Sequence, residues 1–335
     1  MAKLFLVGDF QSDNGPGMAN KQIFKSLSKG HVVRYSKEGS KAGRVFEALG
    51  KIAVSDAIVI CSKSQINYLV IKAARRLNKH VFYVMHGCSS FEARLNDPNV
   101  SDQVVRSLSD YDNYIVENSD KVICVSELFM HFMMDRMPDY QNKFDYIYNC
   151  IDIKKILSQV VSSAERKSQI ISIGGGMKRK NILTVARAAQ QLQPPISVAV
   201  VGAEGADSMD IKRQGNVKWI GLTPHKEVLK LLSESKYYIQ NSTFETFGLA
   251  AVEALYCGCD LLISDHMGCK DLFENATDKD IIHNVNDPIE IKEKLQYLSS
   301  HGNNMRLREG FKKECVSHEW QLNKFNRIFE ECNVR

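Results

Sequence analysis

The strongest chemical signal in the sequence is a pair of glutamates near the start of a predicted helix. Glu245 and Glu253 stand eight positions apart, after an apolar strand at Tyr237–Gln240 and a short polar turn. The helix is predicted to begin near Phe247, where its first N–H groups lack helical partners and carry partial positive charge. Such a helix end suits a diphosphate, and carboxylates accept hydrogen bonds from the vicinal hydroxyls of a sugar or ribose. The spacing predicts a site for sugar, phosphate and ribose in a row. The alternative is that Glu245 is only a first-turn acid that complements the helix dipole, and that Glu253 is exposed to solvent.

A second segment combines glycines with cations. Gly174 and Gly175 begin a run of three glycines between a predicted strand and a predicted helix, and Lys178, Arg179 and Lys180 follow the run. Glycines allow close approach of the backbone to a ligand, and the cations can neutralise a phosphate. The spacing fits neither the P-loop nor the dinucleotide-binding fingerprint. The alternative is a tight turn with a solvated basic patch.

Two weaker signals lie in the first half of the chain. Gly15 and Gly17 belong to a glycine-containing loop between the first strand and the first helix. His86 follows the strand Val81–Met85, on the side of a parallel sheet where ligands bind. A flexible connection and a structural histidine are the alternatives.

The elements that must position these residues alternate between short apolar strands and amphipathic helices. In the first half the predicted strands are Lys3–Val7, His31–Tyr35, Ala57–Cys61, Val81–Met85, Lys121–Val125 and Phe144–Tyr148, with helices near Met18–Lys29, Ile66–Leu77 and Asp102–Asn118. A polar stretch at Ser158–Ser168 predicts a linker. The predicted strands of the second half are Gln169–Ile173, Ile196–Val201, Val217–Ile220, Tyr237–Gln240 and Asp260–Ile263. Its helices are predicted near Asn181–Leu192, Pro224–Ser233 and Phe247–Cys257, with another that starts at Asp287-Pro288. The alternation predicts an α/β protein with two doubly wound parallel sheets, and the cleft between the two domains is the expected ligand site.

Composition narrows the class of protein. The 335 residues are 44% hydrophobic and 25% charged, as in an ordinary globular protein. The net charge of +5 does not by itself indicate nucleic acid. No apolar run is long enough to span a membrane, and the N-terminus lacks the pattern of a signal peptide. Nine scattered cysteines favour free thiols and a cytoplasmic location.

Several motifs in consistent order resemble glycosyltransferase family 4, which comprises retaining nucleotide-sugar transferases of the GT-B fold. The spacing of Glu245 and Glu253 is similar to the family's signature, Gly15 and Gly17 resemble its N-terminal glycine loop, and His86 resembles its histidine after the fourth strand. The segments around Asp120–Glu127, Tyr148–Asp152 and Gly258–Gly268 also resemble family segments. One departure is that Gly175 stands where the family usually has an arginine, so that Lys178 or Arg179 must supply a second cation beside Lys180.

The resemblance implies two domains with different ligands, an acceptor-binding domain at 1–155 and a donor-binding domain at 156–315. A C-terminal helix at 316–335 is expected to pack back on the first domain. The donor is then a UDP- or GDP-sugar, and the acceptor is a glycan or a lipid-linked oligosaccharide used for O-antigen or capsule. His86, Glu245 and Lys180 are the implied catalytic residues, and no metal or other cofactor is expected. The implied donor-binding residues are Gly174, Gly175, Arg179, Lys180, Glu245, Thr246, Phe247, Gly248, Leu249 and Glu253, and Gly15 and Gly17 are assigned to the acceptor and phosphate loop.

Four alternatives remain open from the residues. A metal-dependent GT-A transferase would use Asp110 with Asp112, or Asp278 with Asp280, although neither pair closes an apolar strand. A structural zinc could use cysteines 257, 259 and 269 with His266. A non-catalytic sugar-nucleotide binder and a GT-B epimerase are the other two.

Charge along the chain suggests where a membrane would bind. Residues 1–80 hold 14 Lys/Arg against 5 Asp/Glu, which gives +9, whereas residues 81–150 hold 5 against 11, which gives −6. Anionic lipid attracts nearby cations. The predicted contacts are Lys21, Lys25, Lys29, Lys37, Lys41, Arg44, Lys72, Arg75 and Arg76, with the first three on one helix face. We therefore expect reversible binding to the inner face of the cell membrane, and the alternative is a solvated basic face.

Overall fold

The computed structural model describes residues 1–12, 14–37, 40–160 and 166–334. The contacts divide the chain into two compact units. The first comprises residues 1–90, 101–151 and 313–335, and the second comprises residues 91–100 and 152–312. The sequence had placed residues 91–100 in the first domain, whereas the structure groups them with the second unit.

The first unit contains a six-stranded parallel sheet. Its strands in spatial order are β2 (Val32–Tyr35), β1 (Lys3–Val7), β3 (Ala57–Ile60), β4 (His80–Met85), β5 (Lys121–Cys124) and β6 (Phe144–Tyr146). All four residues of β3 are fully buried. Continuous runs of valine and isoleucine are what a parallel sheet covered on both faces requires.

Helices connect the strands of the first unit and cover its sheet. They are α1 (Gly15–Leu27), α2 (Lys41–Ala53), α3 (Ile66–Arg76), α5 (Asp102–Asn118), α6 (Glu127–Arg136) and, after the second unit, α14 (His318–Glu331). Helix α4 (Ser89–Asn96) begins in the first unit, but its residues from 91 onward belong to the second. Serine hydroxyls cap α5, α6 and α14 by accepting from backbone N–H groups of the first turn. The final helix packs on α1, where the hydroxyl of Ser26 donates to the buried side chain of Gln321 over 2.7 Å.

The second unit repeats this architecture. Its strands in spatial order are β12 (Ile281–Ile282), β11 (Asp260–Ser264), β10 (Ser235–Gln240), β7 (Lys167–Ile173), β8 (Ser197–Val201) and β9 (Val217–Gly221), again all parallel. Its helices are α7 (Ile153–Gln159), α8 (Ile182–Gln190), α9 (Ser208–Lys212), α10 (His225–Glu234), α11 (Leu249–Cys257), α12 (Pro288–His301) and α13 (Asn304–Glu309). The predicted cap at Asp287 is confirmed, since its carboxylate accepts from the N–H of Ile289 over 2.8 Å. The predicted α/β fold with two doubly wound parallel sheets is confirmed.

Several elements were not predicted. No helix was predicted at α2, α4, α6, α7 or α9 and no strand at β12, because these elements are short, contain glycine or are weakly periodic. The predicted linker at 158–168 was wrong at both ends, since α7 continues to Gln159 and β7 begins at Lys167. Residues 161–165 of that stretch lie outside the described residues.

Candidate functional site

The strand order of each sheet reverses at one point, and the candidate residues cluster at those points. In the second sheet β7 and β10 are neighbours, and the chain runs outward from them in opposite directions. In such sheets a ligand binds outside the carboxyl ends of the strands where the order reverses. The loop after β7 carries the cations, and the loop after β10 carries Glu245. The two loops are joined by the N–H of Thr243, which donates to the carbonyl of Arg179 over 2.8 Å.

Glu245 is the centre of a cluster of charged and polar side chains. Its Oε2 pairs with the ammonium of Lys180, accepts from Nε2 of Gln240 over 2.8 Å, and lies 3.6 Å from Nη1 of Arg179. Burial raises the pKa of Glu245, but the charges of Lys180 and Arg179 outweigh burial, and the pKa lies below its ordinary value of 4.5. Glu245 and Lys180 were both predicted as catalytic residues. In the structure they are in contact, and Glu245 is ionised.

Arg179, not Lys178, is the second cation beside Glu245. Its Nη1 donates to the carbonyl of Phe244 over 3.1 Å, and its Nη2 lies 3.5 Å from the carboxylate of Glu92. Lys178 is exposed on the short 3-10 helix of residues 178–180. The geometry thus places two cations in the cluster, and Arg179 shares its charge between two carboxylates.

The run of three glycines lets two loops approach closely. Gly175 has a φ of +58°, and a Cβ at this position would overlap the carbonyl oxygen of Ala203. The N–H groups of residues 174–176 all donate to backbone carbonyls of residues 201–203. The same crowding explains why no arginine stands at position 175. A packing role therefore accounts for these glycines, and binding of a donor by Gly174 and Gly175 stays a prediction.

The segment from Thr246 to Leu249 differs from its prediction in one respect. Helix α11 begins at Leu249, not at Phe247, because Gly248 has a φ of +103° and is the residue that caps the helix. The positive φ at Gly248 would strain any other residue, and a Cβ there would lie 2.5 Å from Cε of Met267, which would have to move. Phe247 is buried, and its carbonyl accepts from the N–H of Cys269 over 2.8 Å. Thr246 and Leu249 are half-buried beside them.

Glu253 has a partner that the sequence did not reveal. It is 8% exposed, and its Oε1 lies 2.8 Å from Nε2 of His225, the first residue of α10. The alternative of a solvent-exposed Glu253 is therefore wrong. The one available signal was a histidine a few residues after an apolar strand, which is the side of the sheet where ligands bind.

In the first unit, His86 belongs to a partly buried polar network. Its Nε2 lies 2.8 Å from Oδ1 of Asn20, whose Nδ2 donates to the carbonyl of Asp9 and to the hydroxyl of Ser62, both over 2.9 Å. Burial lowers the pKa of His86 to about 4, against a smaller opposing effect of a backbone hydrogen bond with Cys61. The imidazole is therefore neutral at pH 7.

Gly15 and Gly17, predicted to lie in a loop before the first helix, instead lie in the first turn of α1, which Asn14 caps. The N–H of Gly17 donates to Oδ1 of Asn14 over 2.8 Å, and a side chain at position 17 would collide with Ser12. Gly15 has open space around its Cα. Gly17 is required for this cap, whereas Gly15 is not constrained by packing.

A cavity of about 320 Å³ opens beside this network, at the reversal point of the first sheet between β1 and β3. Phe5, Val7, Phe10, Ala48 and Ile66 supply apolar walls, and most of the other lining residues are polar. The charged lining residues are Asp9, Lys37, Arg44, Glu47 and Lys63. The sequence did not predict this cavity, because α2, which forms one wall, was missed.

The acidic residues and cysteines considered above as metal ligands do not converge on a common point in the structure. Asp280 pairs with Arg306, whereas Asp278 contacts His283. Asp112 is buried, whereas its helix neighbour Asp110 is exposed. The thiols of Cys257, Cys259 and Cys269 donate to backbone carbonyls in the core. Across the described ranges, no three His, Cys, Asp or Glu side chains converge as a metal site would require.

Two doubly wound sheets, with candidate ligand sites where the strand order reverses, define the GT-B class of glycosyltransferase fold. Residues 153–314 match the model of the family described as glycosyl transferases group 1. The predicted resemblance is confirmed at this level: the chain has the GT-B fold, and residues 153–314 match the model of glycosyl transferases group 1.

Relatives and solved structures agree with this assignment. Over 138 residues the chain is 26% identical to N-acetylgalactosamine-N,N'-diacetylbacillosaminyl-diphospho-undecaprenol 4-alpha-N-acetylgalactosaminyltransferase of Campylobacter jejuni, in an alignment that covers 39% of this chain and only 38% of that enzyme. HepE of Anabaena, solved with UDP-glucose, superposes with a TM-score of 0.69 at 15% identity over 99% of both chains. Sucrose-phosphate synthase of Thermosynechococcus elongatus gives 0.70 at 17% identity, also over 99% of both. At these identities the two structures establish the fold.

Proposed function

We propose that the protein is a retaining hexosyltransferase that moves a sugar from a UDP- or GDP-sugar to a glycan or lipid-linked acceptor. The observation that carries the proposal is the cluster of Glu245, Lys180 and Arg179 at the reversal point of the second sheet. In this cluster, a carboxylate that can accept hydrogen bonds from sugar hydroxyls is in contact with two cations that can bind a diphosphate. HepE, which shares the fold, was solved with UDP-glucose.

The proposed chemistry rests on the charge that develops on the leaving group. As the bond between the anomeric carbon and the diphosphate oxygen breaks, the electron pair passes to that oxygen. Lys180 and Arg179 meet the developing charge, so they stabilise the transition state more than the ground state. The acceptor hydroxyl bonds to the anomeric carbon from the same face, and its proton passes to the diphosphate. Retention follows without a nucleophile from the protein.

Glu253 and His86 complete the proposed recognition of the donor. In this proposal Glu253 accepts hydrogen bonds from the ribose hydroxyls. Its carboxylate is held in place by the contact with His225 at the start of α10. His86 is neutral at pH 7 and therefore contributes a hydrogen bond, not a charge, to the donor sugar. The acceptor binds the first unit, where the cavity beside β1 and β3 combines apolar walls with charged groups.

A panel of UDP- and GDP-sugars in EDTA tests this proposal. We expect at least one donor to be hydrolysed or transferred in EDTA, since the cations of the protein balance the diphosphate and no metal is needed. Product analysis by NMR should give the donor's own anomeric configuration. Complete loss of turnover in EDTA that Mn²⁺ restores would favour a metal-dependent mechanism, and an inverted product would exclude retention.

We further propose that the enzyme works in surface-polysaccharide synthesis at the inner face of the membrane. The name of the Campylobacter relative places a diphospho-undecaprenol in its acceptor, which is a lipid carrier. Within the described chain, no helix has the length and hydropathy to cross a bilayer. Contact with a membrane would then be peripheral.

The outer faces of α2 and α3 offer a surface of suitable chemistry, which we call the α2–α3 face. Phe46 and Leu49 on α2 are 77% and 43% exposed, and Leu69, Lys72 and Arg76 are exposed on α3, which packs beside α2. Exposed aromatic and aliphatic groups next to cations suit the interface of an anionic bilayer.

The structure revises part of the predicted set of lipid contacts. Lys29 lies beyond the end of α1 at Leu27, so Lys21, Lys25 and Lys29 do not share one helix face. Arg75 pairs with Asp120 over 2.9 Å. The side chain of Lys41 lies outside the described residues.

Co-sedimentation with vesicles tests the α2–α3 face. We expect binding to phosphatidylserine-containing vesicles but not to pure phosphatidylcholine, with loss at high salt. Because each cation near the surface contributes about 1 kcal/mol, Lys72→Gln with Arg76→Gln should lower partitioning roughly 30-fold. Phe46→Ser should also weaken it, whereas Leu222→Ser, at an 84% exposed position of the second unit, should not. Equal binding to both vesicle types would overturn the proposal of docking.

A further inference from the structure

His225 and Glu253 form a contact between two packed helices. His225 is the first residue of α10, and Glu253 lies near the middle of α11, against which α10 packs. Their side chains are 23% and 11% exposed, and the Nε2 to Oε1 distance is 2.8 Å. Both residues are thus shielded enough for the hydrogen bond to fix the orientation of the carboxylate.

Both partners are held by rigid surroundings. Helix α10 is anchored by the buried side chains of Leu229 and Leu232 and follows Pro224, whose ring restricts the backbone before His225. The neighbours of Glu253 along α11, at positions 251, 252, 254 and 255, are buried and apolar. Among these apolar groups the carboxylate needs a hydrogen-bond donor, and His225 supplies it.

The second oxygen of Glu253 is open. No donor within residues 1–12, 14–37, 40–160 or 166–334 contacts Oε2 of Glu253, and the side chain is 11% exposed. A carboxylate has about four lone-pair sites on its two oxygens. The bond to His225 uses one of them, so a ligand with adjacent hydroxyls can still donate to both oxygens.

We propose that His225 is a positioning residue that makes the donor site selective for ribonucleotides. It holds Glu253 so that the carboxylate meets both ribose hydroxyls, and a nucleotide that lacks one hydroxyl leaves a shielded carboxylate oxygen without its donor. This inference rests on the proposed function, in which Glu253 binds the ribose. His225 itself touches no reacting atom.

The test compares the affinities of matched nucleotides by calorimetry. The probes are UDP, 2′-deoxy-UDP and 3′-deoxy-UDP, with the corresponding guanosine nucleotides. We expect the native protein to prefer the ribonucleotide about 10- to 100-fold, as the loss of one hydrogen bond to a charged group implies. In His225→Ala the ratio should fall to within about threefold. His225→Gln keeps a side-chain donor and should restore most of the ratio. Glu253→Ala should abolish it.

Controls separate this role from simple support of the fold. His301→Ala, which alters a histidine at the far end of α12, should leave the ratio native. If His225→Ala weakens the ribonucleotide and both deoxynucleotides equally, or only lowers Tm, His225 is structural and the inference is wrong. If the native protein binds neither UDP nor GDP, the proposed function fails, and this inference fails with it. Binding with a ratio that His225→Ala does not change overturns the inference alone.

Discussion

Lys180→Met is expected to lower kcat by about 10²- to 10³-fold, the effect of removing one preorganised group that stabilises developing charge. Lys180 is the cation in closest contact with Glu245, and in the proposed mechanism it meets the diphosphate as the glycosidic bond breaks. Methionine keeps most of the apolar stem, so the loss should come from the charge. Steady-state kinetics with the donor found by the panel measures it, and most of the loss should be in kcat.

The adjacent lysine provides a matched control for this prediction. Lys178 is two residues away on the same 3-10 helix but is exposed and outside the Glu245 cluster. We expect Lys178→Met to change kcat by less than about twofold, since exposed charges in water interact weakly. Arg179→Met should fall between the two. A large loss in Lys178→Met with none in Lys180→Met would mean that the cations were assigned to the wrong positions.

Glu245→Gln is expected to lower the free energy of unfolding by about 3–5 kcal/mol at pH 7, because it leaves shielded cations without their carboxylate. Glutamine keeps the size of the side chain and can still contact Gln240, but it cannot balance Lys180 and Arg179. Chemical denaturation followed by fluorescence measures the change. A diphosphate ligand should restore part of the stability, since its charge replaces that of the carboxylate.

The dependence of this effect on pH follows from the pKa of Glu245. Although burial alone would raise it, the two cations hold this pKa below 4.5 in the folded protein, so the folded state favours the carboxylate more than the unfolded state does. The stabilisation is fully present above pH 4.5 and is lost as the pH falls through the lowered pKa. The difference between the native protein and Glu245→Gln should therefore shrink in acid.

An exposed ion pair serves as the control for stability. Glu274 lies 3.1 Å from Lys312 and is 60% exposed. Glu274→Gln should cost less than about 1 kcal/mol, because exposed pairs are screened by water and salt. Equal losses in Glu274→Gln and Glu245→Gln would contradict the view that shielding makes the Glu245 cluster different.

Local sequence patterns were sufficient to predict most of the strands and the chemical type of the site. Runs such as residues 57–60 and 261–263 are continuous and apolar, as is typical of a parallel sheet covered on both faces, and the predicted strand boundaries agree with the structure within a residue or two. The spacing of Glu245 and Glu253 also placed the first before one helix and the second within it, as the structure shows. These features depend on neighbours along the chain, so the sequence by itself determined them.

The partners of the site residues were decided by tertiary structure. His225 and Glu253 are 28 positions apart, and Glu92 reaches Arg179 from another part of the chain. Such contacts depend on how the helices pack against the sheet, which no local sequence pattern specifies. The glycines at 174–176 illustrate the same limit, because a glycine that admits a ligand and one that admits another loop look alike in sequence. Local patterns therefore determined most of the strands and which residue types lie at the edge of each sheet. Only packing over long sequence separations decided which side chains pair there, because those pairs exist only once both sheets and their covering helices have formed.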